Sequence, residues 1–157
     1  MTCQFMVAAL LLSSLLAQTQ GIPSARDTDC DAGNMTGAAP ALVEKVDHFI
    51  RNLQSAVLHN DIVRVASMVN YPIVVPIGTE LIRIDNKEKF VQGYDQIFTP
   101  HLKKVVMGQT AGCVNLMGEQ GFMLASGEIW FNEYAGGRLL ISTINPPIPG
   151  ESRVAKP

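Results

Sequence analysis

Phe122–Asn132, FMLASGEIWFN, is the stretch on which the fold turns. Two short apolar runs, rich in aromatic and branched residues and bounded by turn signals, suit an extended strand rather than a helix. Taken as one long strand, the stretch sets Phe122, Leu124, Glu128, Trp130 and Asn132 on one face. Met123, Ala125, Ile129 and Phe131 take the other, with Gly127 as a bulge or bend. Turn signals flank it, Gly118-Glu119-Gln120-Gly121 before and Tyr134–Gly137 after. Ala111–Met117 and Arg138–Ile144 supply neighbouring strands, and Pro146-Pro147 ends the ladder. The last third of the chain therefore reads as an antiparallel meander.

Working back from the meander, the pattern becomes helical. Leu42, Val46, Phe49, Ile50, Leu53 and Val57 form one apolar stripe at helical spacing from Ala41. Asn60 and Asp61 interrupt it and cap a second, shorter helix reaching about Val69, with Ile62, Val65, Ala66 and Val69 inward. Tyr71-Pro72 ends that helix, because the residue before proline avoids helical geometry. Two short β-rich runs follow, Ile73–Ile77 and Leu81–Ile84, joined by Gly78-Thr79-Glu80. Pro76 confines the first to an edge, a bulge or a strand end. Asp85 with Glu88 resembles a capping box opening a third helix that buries Phe90, Val91, Tyr94, Ile97 and Phe98. Thr99-Pro100 opens a fourth, which Gly108 closes. Helices segregated from a curved antiparallel sheet make the fold class α+β.

The chain has 157 residues, 47% hydrophobic and 17% charged, with a formal net charge of −2. That is enough for one domain with a core, and it leaves no basic footprint for nucleic acid. Phe5–Leu16, broken only by Ser13 and Ser14, has the length of a signal-peptide core rather than the roughly 20 residues of a membrane span. Residues 1–21 are expected to be a leader and the mature protein to be secreted or periplasmic. An uncleaved anchor or a buried helix is the alternative, since Met1-Thr2-Cys3-Gln4 carries no Lys or Arg. Residues 22–40 read as a flexible linker, residues 41–147 as the domain, and residues 148–157 as a loose tail. Asp27, Asp29 and Asp31 lack the offsets of a calcium loop. Asn34-Met35-Thr36 is a glycosylation sequon. Once the leader is gone, Cys30 and Cys113 remain, either as one disulfide in an oxidising compartment or as unrelated thiols, Cys113 then being a small buried hydrophobe in a strand. With no CxxC, HExxH or His/Cys cluster, no metal and no cofactor is expected.

The order of elements resembles the nuclear transport factor 2-like superfamily. The resemblance is carried by the paired opening helices 41–69 ending at Tyr71-Pro72, by Phe90–Pro100 (FVQGYDQIFTP) and by Gly127–Phe131 (GEIWF). It spans about residues 41–147 and is similar to small exported bacterial proteins. It implies a cone, in which a bent sheet wraps a long first helix, and in the enzymes a pocket with an Asp or His base and often a Tyr donor. It also implies a possible homodimer through the sheet. Fold alone does not choose among isomerases, dehydratases and pure binding modules.

Against that expectation the polar residues are few. Tyr94, Glu128 and Trp130 are the expected ligand-lining residues, with core packing as the plainer role of Tyr94 and Trp130. For Glu128 the plainer role is a cross-strand charge partner, for example of Arg138. Asp95 lies on a helix flank, and His101 sits in a first turn, where the helix dipole favours a neutral ring. His48 and His59 form a solvated pair opposite the apolar stripe. No GxSxG motif accompanies a serine nucleophile, and no catalytic residue is assigned. The reading reached from sequence is an exported binding module for a small apolar ligand or a partner protein, without nucleic acid and without a membrane once the leader is removed. The alternative is an isomerase or lyase with Glu128, Asp95 or His101 as base and Tyr94 as donor. A cystatin-like inhibitor is a third reading, and its Gln-x-Val-x-Gly loop is absent.

Overall fold

The computed structural model describes Met35 and residues 37–146. The segment 1–21 expected to be a leader, Cys30, the sequon asparagine and the tail 148–157 lie outside the described residues. Helix α1 (Pro40–Leu58) starts on a proline at its first position and buries Val46, Phe49, Ile50, Leu53, Ala56 and Val57. The apolar spacing expected of it is thus its core face, with Leu42 only partly covered. Met35, assigned by sequence to a linker, is instead 4% exposed and belongs to the core. The chain turns at Asn60, whose φ is 52°, and Asp61 accepts from the Arg64 amide at 3.0 Å to cap α2 (Ile62–Ser67). Past α2, Val69 bridges Ile141 in parallel, and the Tyr71–Pro72 peptide is cis.

Strands β1 (Ile73–Ile77) and β2 (Glu80–Ile84) form a separate two-stranded hairpin, with Ile73 opposite Ile84 and Pro76 opposite Leu81. The helical region that follows breaks at Gly93 into α3 (Lys87–Gln92) and α4 (Tyr94–Ile97). The cap of α3 is Asn86, which accepts from the Lys89 amide, rather than Asp85. Asp85 is instead drawn into ion pairs with Arg83 and Lys89, which hold its carboxyl below its ordinary range. Helix α5 (Pro100–Met107) is capped by Thr99, which accepts from the Leu102 amide, and ends at Gly108 as the sequence implied.

The main sheet runs β3 (Asn115–Leu116), β4 (Phe122–Leu124), β5 (Ile129–Tyr134), β6 (Arg138–Ile144), antiparallel throughout. Two expectations need correcting. Ala111–Cys113 is a 3₁₀ turn, so the strand expected over Ala111–Met117 shrinks to β3. Phe122–Asn132 is a hairpin rather than one strand: Leu124 pairs with Ile129 across a four-residue turn, where Ala125 has φ 53° and Gly127 φ 97°. Folding the segment back changes its faces. Phe122, Leu124, Ile129 and Phe131 all turn inward, and Met123 pairs with Trp130 on the outer side. Gly127 is thus the bend, not the bulge, of the two alternatives expected there. The bulge lies between Trp130 and Phe131, which pair with Thr143 and Ile141, so that Ser142 is the extra residue.

Rings join helix to sheet. Phe49 of α1 stacks on Phe131 of β5 with centroids 4.5 Å apart, and Phe122 stacks on the same ring at 5.0 Å. A second cluster gathers Phe90, Tyr94 and Phe98 beneath α3 and α4, with the Tyr71 ring edge-on to Phe90. Aromatic pairs of this kind add about 0.5–1.5 kcal/mol beyond simple burial. Gly121, entering β4 at φ 91°, leaves room for Asn132, whose Oδ1 would lie 1.7 Å from a β-carbon placed there.

Candidate functional site

A cleft of about 460 Å³ opens where α1, α2 and the beginning of β6 meet. Lys45, His48, Phe49 and Asn52 reach it from α1. Their spacing of three, four and seven residues puts them along one edge of the helix, flanking its buried stripe. Arg64 and Ser67 come from α2, with Met68 just after it. Arg138, Leu139 and Leu140 come from the beginning of β6, and Gly137 from the tight β5–β6 connection. There Gly136 and Gly137 take φ values of 77° and 73°, a left-handed geometry that β-carbons disfavour.

The polar groups are interlinked. Arg64 Nη2 donates to Asn52 Oδ1 at 2.7 Å, and Asn52 Nδ2 lies 3.0 Å from His48 Nδ1. Lys45 pairs with Glu133 at 2.8 Å and lies close enough to Gly137 that a β-carbon there would sit 3.4 Å from Nζ. Ser67 donates to the Arg64 carbonyl at 2.6 Å. Among the described residues no carboxylate pairs with Arg64 or Arg138. The cleft therefore combines two guanidinium groups that no described carboxylate neutralises with an apolar floor of Phe49, Met68 and Leu139.

The residues nominated from sequence are placed elsewhere. Tyr94 is 1% exposed, stacked on Phe98 at 5.1 Å with Lys103 Nζ 4.9 Å from its ring centre. Among the described residues its hydroxyl has no hydrogen-bond partner, and burial, aided by the charge of Asp95, pushes its pKa up to about 12. Glu128 is buried, but in the β4–β5 turn, where Oε2 accepts from the Ser126 amide at 2.7 Å. Arg138 is not its partner: the turn carboxylate is held by backbone, while Arg138 stands opposite Tyr134 and lines the cleft. Trp130 is half-buried on the outer sheet face beside a shallow depression with Gln120, Asn132, Ser142 and Thr143. So Tyr94, Glu128 and Trp130 occupy an aromatic cluster, a turn and an outer face respectively. Asp95 is a surface residue 3.5 Å from Lys103, and His101 is exposed. His48 and His59 are both exposed, as expected of solvated side chains on the face opposite the apolar stripe. His48 borders the cleft, while the His59 ring nitrogen lies 2.8 Å from the Ser55 carbonyl at the end of α1.

Cys113 is disulfide-bonded, with the Thr110 hydroxyl 3.1 Å from its sulfur. The expected partner, Cys30, lies outside the described residues. Among the described residues no group of three or more His, Cys, Asp and Glu is placed to hold a metal ion. No described helix is long and apolar enough to cross a membrane.

The sequence held one sign of the cleft, the polar flank Lys45, His48 and Asn52 beside the apolar stripe of α1. Arg64 and Arg138 carried none, because only the folding of α2 and β6 onto α1 brings them to that flank. Comparison with family models, curated proteins and solved structures finds no match for the chain.

Proposed function

We propose that the protein is an exported, single-domain binding module with a nuclear transport factor 2-like cone, and that its ligand is a small molecule held in the α1–α2–β6 cleft. The observation that carries this reading is the cleft itself. Its volume of about 460 Å³ lies within the range of small-molecule sites, and it joins an apolar floor to a few convergent polar groups. The order of two helices, a hairpin, further helices and an antiparallel meander supports the cone. Export is supported by the apolar run Phe5–Leu16 and by a disulfide-bonded Cys113, since such bonds persist in oxidising compartments. The isomerase or lyase reading draws no support from its nominated bases: Asp95 and His101 face water, and Glu128 is spent on its own turn.

The test is native mass spectrometry of protein purified from its own host, followed by amide chemical shifts before and after the retained molecule is stripped. A retained small molecule whose removal shifts the amides of Asn52, Ser67 and Gly137 supports the reading. A retained second chain, or a small molecule whose removal leaves those amides unmoved, overturns it.

A further inference from the structure

We propose that the cleft recognises the oxyanion headgroup, carboxylate or phosphate, of a small organic acid. This rests on the reading of the cleft as the ligand site and adds the chemistry that the cleft selects. Lys45, Arg64 and Arg138 border one concavity on a chain whose net charge is −2, so the cations are a local arrangement rather than part of a basic surface. Like charges gathered at one site repel unless an opposite charge joins them. Lys45 has Glu133 at 2.8 Å, whereas Arg64 and Arg138 have no carboxylate partner among the described residues.

Arg64 is also held in position. One guanidinium nitrogen donates to Asn52, and the helix that carries it is capped by Asp61. The remaining donors of its planar fork match the two oxygens of a carboxylate or the oxygens of a phosphate. Phe49, Met68 and Leu139 line the same cleft and can take the organic part of the ligand. A nucleic acid would need a much wider run of cations than this cleft offers. The ligand class is thus a small amphiphilic acid, with its charged end at the two arginines and its body on the apolar floor.

The experiment titrates the purified protein with phenylacetate, phenyl phosphate and the neutral phenylacetamide, reading calorimetric affinity and amide shifts together. At least one acid is expected to bind and to shift the amides of Asn52, Ser67 and Gly137, with phenylacetamide at least about tenfold weaker. Whichever acid binds more tightly identifies the headgroup. Arg64→Gln and Arg138→Gln are each expected to weaken that acid about tenfold, the scale of one charge-assisted hydrogen bond. Arg83→Gln, at an exposed arginine paired with Asp85, is expected to leave it unchanged. Both cleft arginines are exposed, and circular dichroism checks that their variants fold. Equal binding of phenylacetamide and the acids, or unchanged affinity in both arginine variants, overturns oxyanion recognition while leaving the cleft as a ligand site. Absence of cleft shifts with all three probes also overturns it, and the footprint of the native ligand then judges the cleft reading separately.

Discussion

The Glu128 carboxylate accepts a 2.7 Å hydrogen bond from the Ser126 amide two residues earlier, inside the turn that joins β4 to β5. Next to it, Asn145 donates its amide to the Glu128 carbonyl at 2.8 Å and its side chain to the Gly127 carbonyl at 2.9 Å. A carboxylate that looked like a pocket base is a fastener. It satisfies a turn amide and the end of β6 holds the same turn from the other side.

Glu128→Ala should therefore lower stability by about 1.5–3 kcal/mol, the range for a hydrogen bond to a charged group. Glu128→Gln keeps a neutral acceptor and should lose less, about 1 kcal/mol. Urea denaturation measures both. If Glu128 were a ligand-site carboxylate instead, both variants would keep their unfolding midpoint.

Gly121→Ala should be among the most damaging small substitutions. Its backbone, at φ 91° and ψ −142°, is nearly restricted to glycine and costs a side-chain-bearing residue about 1–3 kcal/mol. The new β-carbon would also lie 1.7 Å from Asn132 Oδ1 and 2.7 Å from the Phe131 carbonyl. Adding Asn132→Ala removes only the first clash, so the double variant should recover part of the lost melting temperature and no more. Full recovery would show that the backbone term is negligible.

Buried Tyr94 and half-buried Tyr71 should respond differently to loss of the hydroxyl. Tyr71 donates to the Ala66 carbonyl at 2.9 Å, so Tyr71→Phe should cost about 1 kcal/mol. Tyr94 has no such partner among the described residues, so Tyr94→Phe should be neutral or slightly stabilising.

The same burial predicts an alkaline limit. Tyr94 is raised from 10.0 to about 12, so the folded state holds its proton where the unfolded chain releases it. Its contribution is complete below pH 10 and is lost as pH rises towards 12. Tyr71, raised further by burial and then by Glu88, acts in the same direction. Stability measured from pH 9 to 12 should fall less steeply in Tyr94→Phe, and a slope equal to that of the unmodified protein would remove Tyr94 as a cause.

Non-reducing peptide mapping should recover Cys113 linked to Cys30. Reduction, or Cys113→Ser, should cost about 2–4 kcal/mol, the usual contribution of one disulfide. A peptide linking Cys113 to Cys3 would place the leader in the finished protein and count against its removal.

The amino-acid sequence by itself determined α1, the starts of α2 and α5 and the end of α5, though not the break at Gly93 that divides α3 from α4. The stripe from Val46 to Val57, the Asp61 cap and the Thr99-Pro100 start are signals between residues within a few positions of one another, and local geometry suffices to act on them. It also determined the α+β class, since helical spacing gives way to short apolar runs bounded by turn signals along the chain. Only the tertiary structure decided which residues face which way in Phe122–Asn132. One strand and a hairpin both suit that pattern, and the choice depends on pairing Leu124 with Ile129 and packing Phe131 between Phe49 and Phe122. The cleft belongs to the same class of fact. Lys45, Arg64 and Arg138 become neighbours because α2 and β6 are bound together at Met68 and Ile141 beside α1, a long-range contact that no short segment encodes.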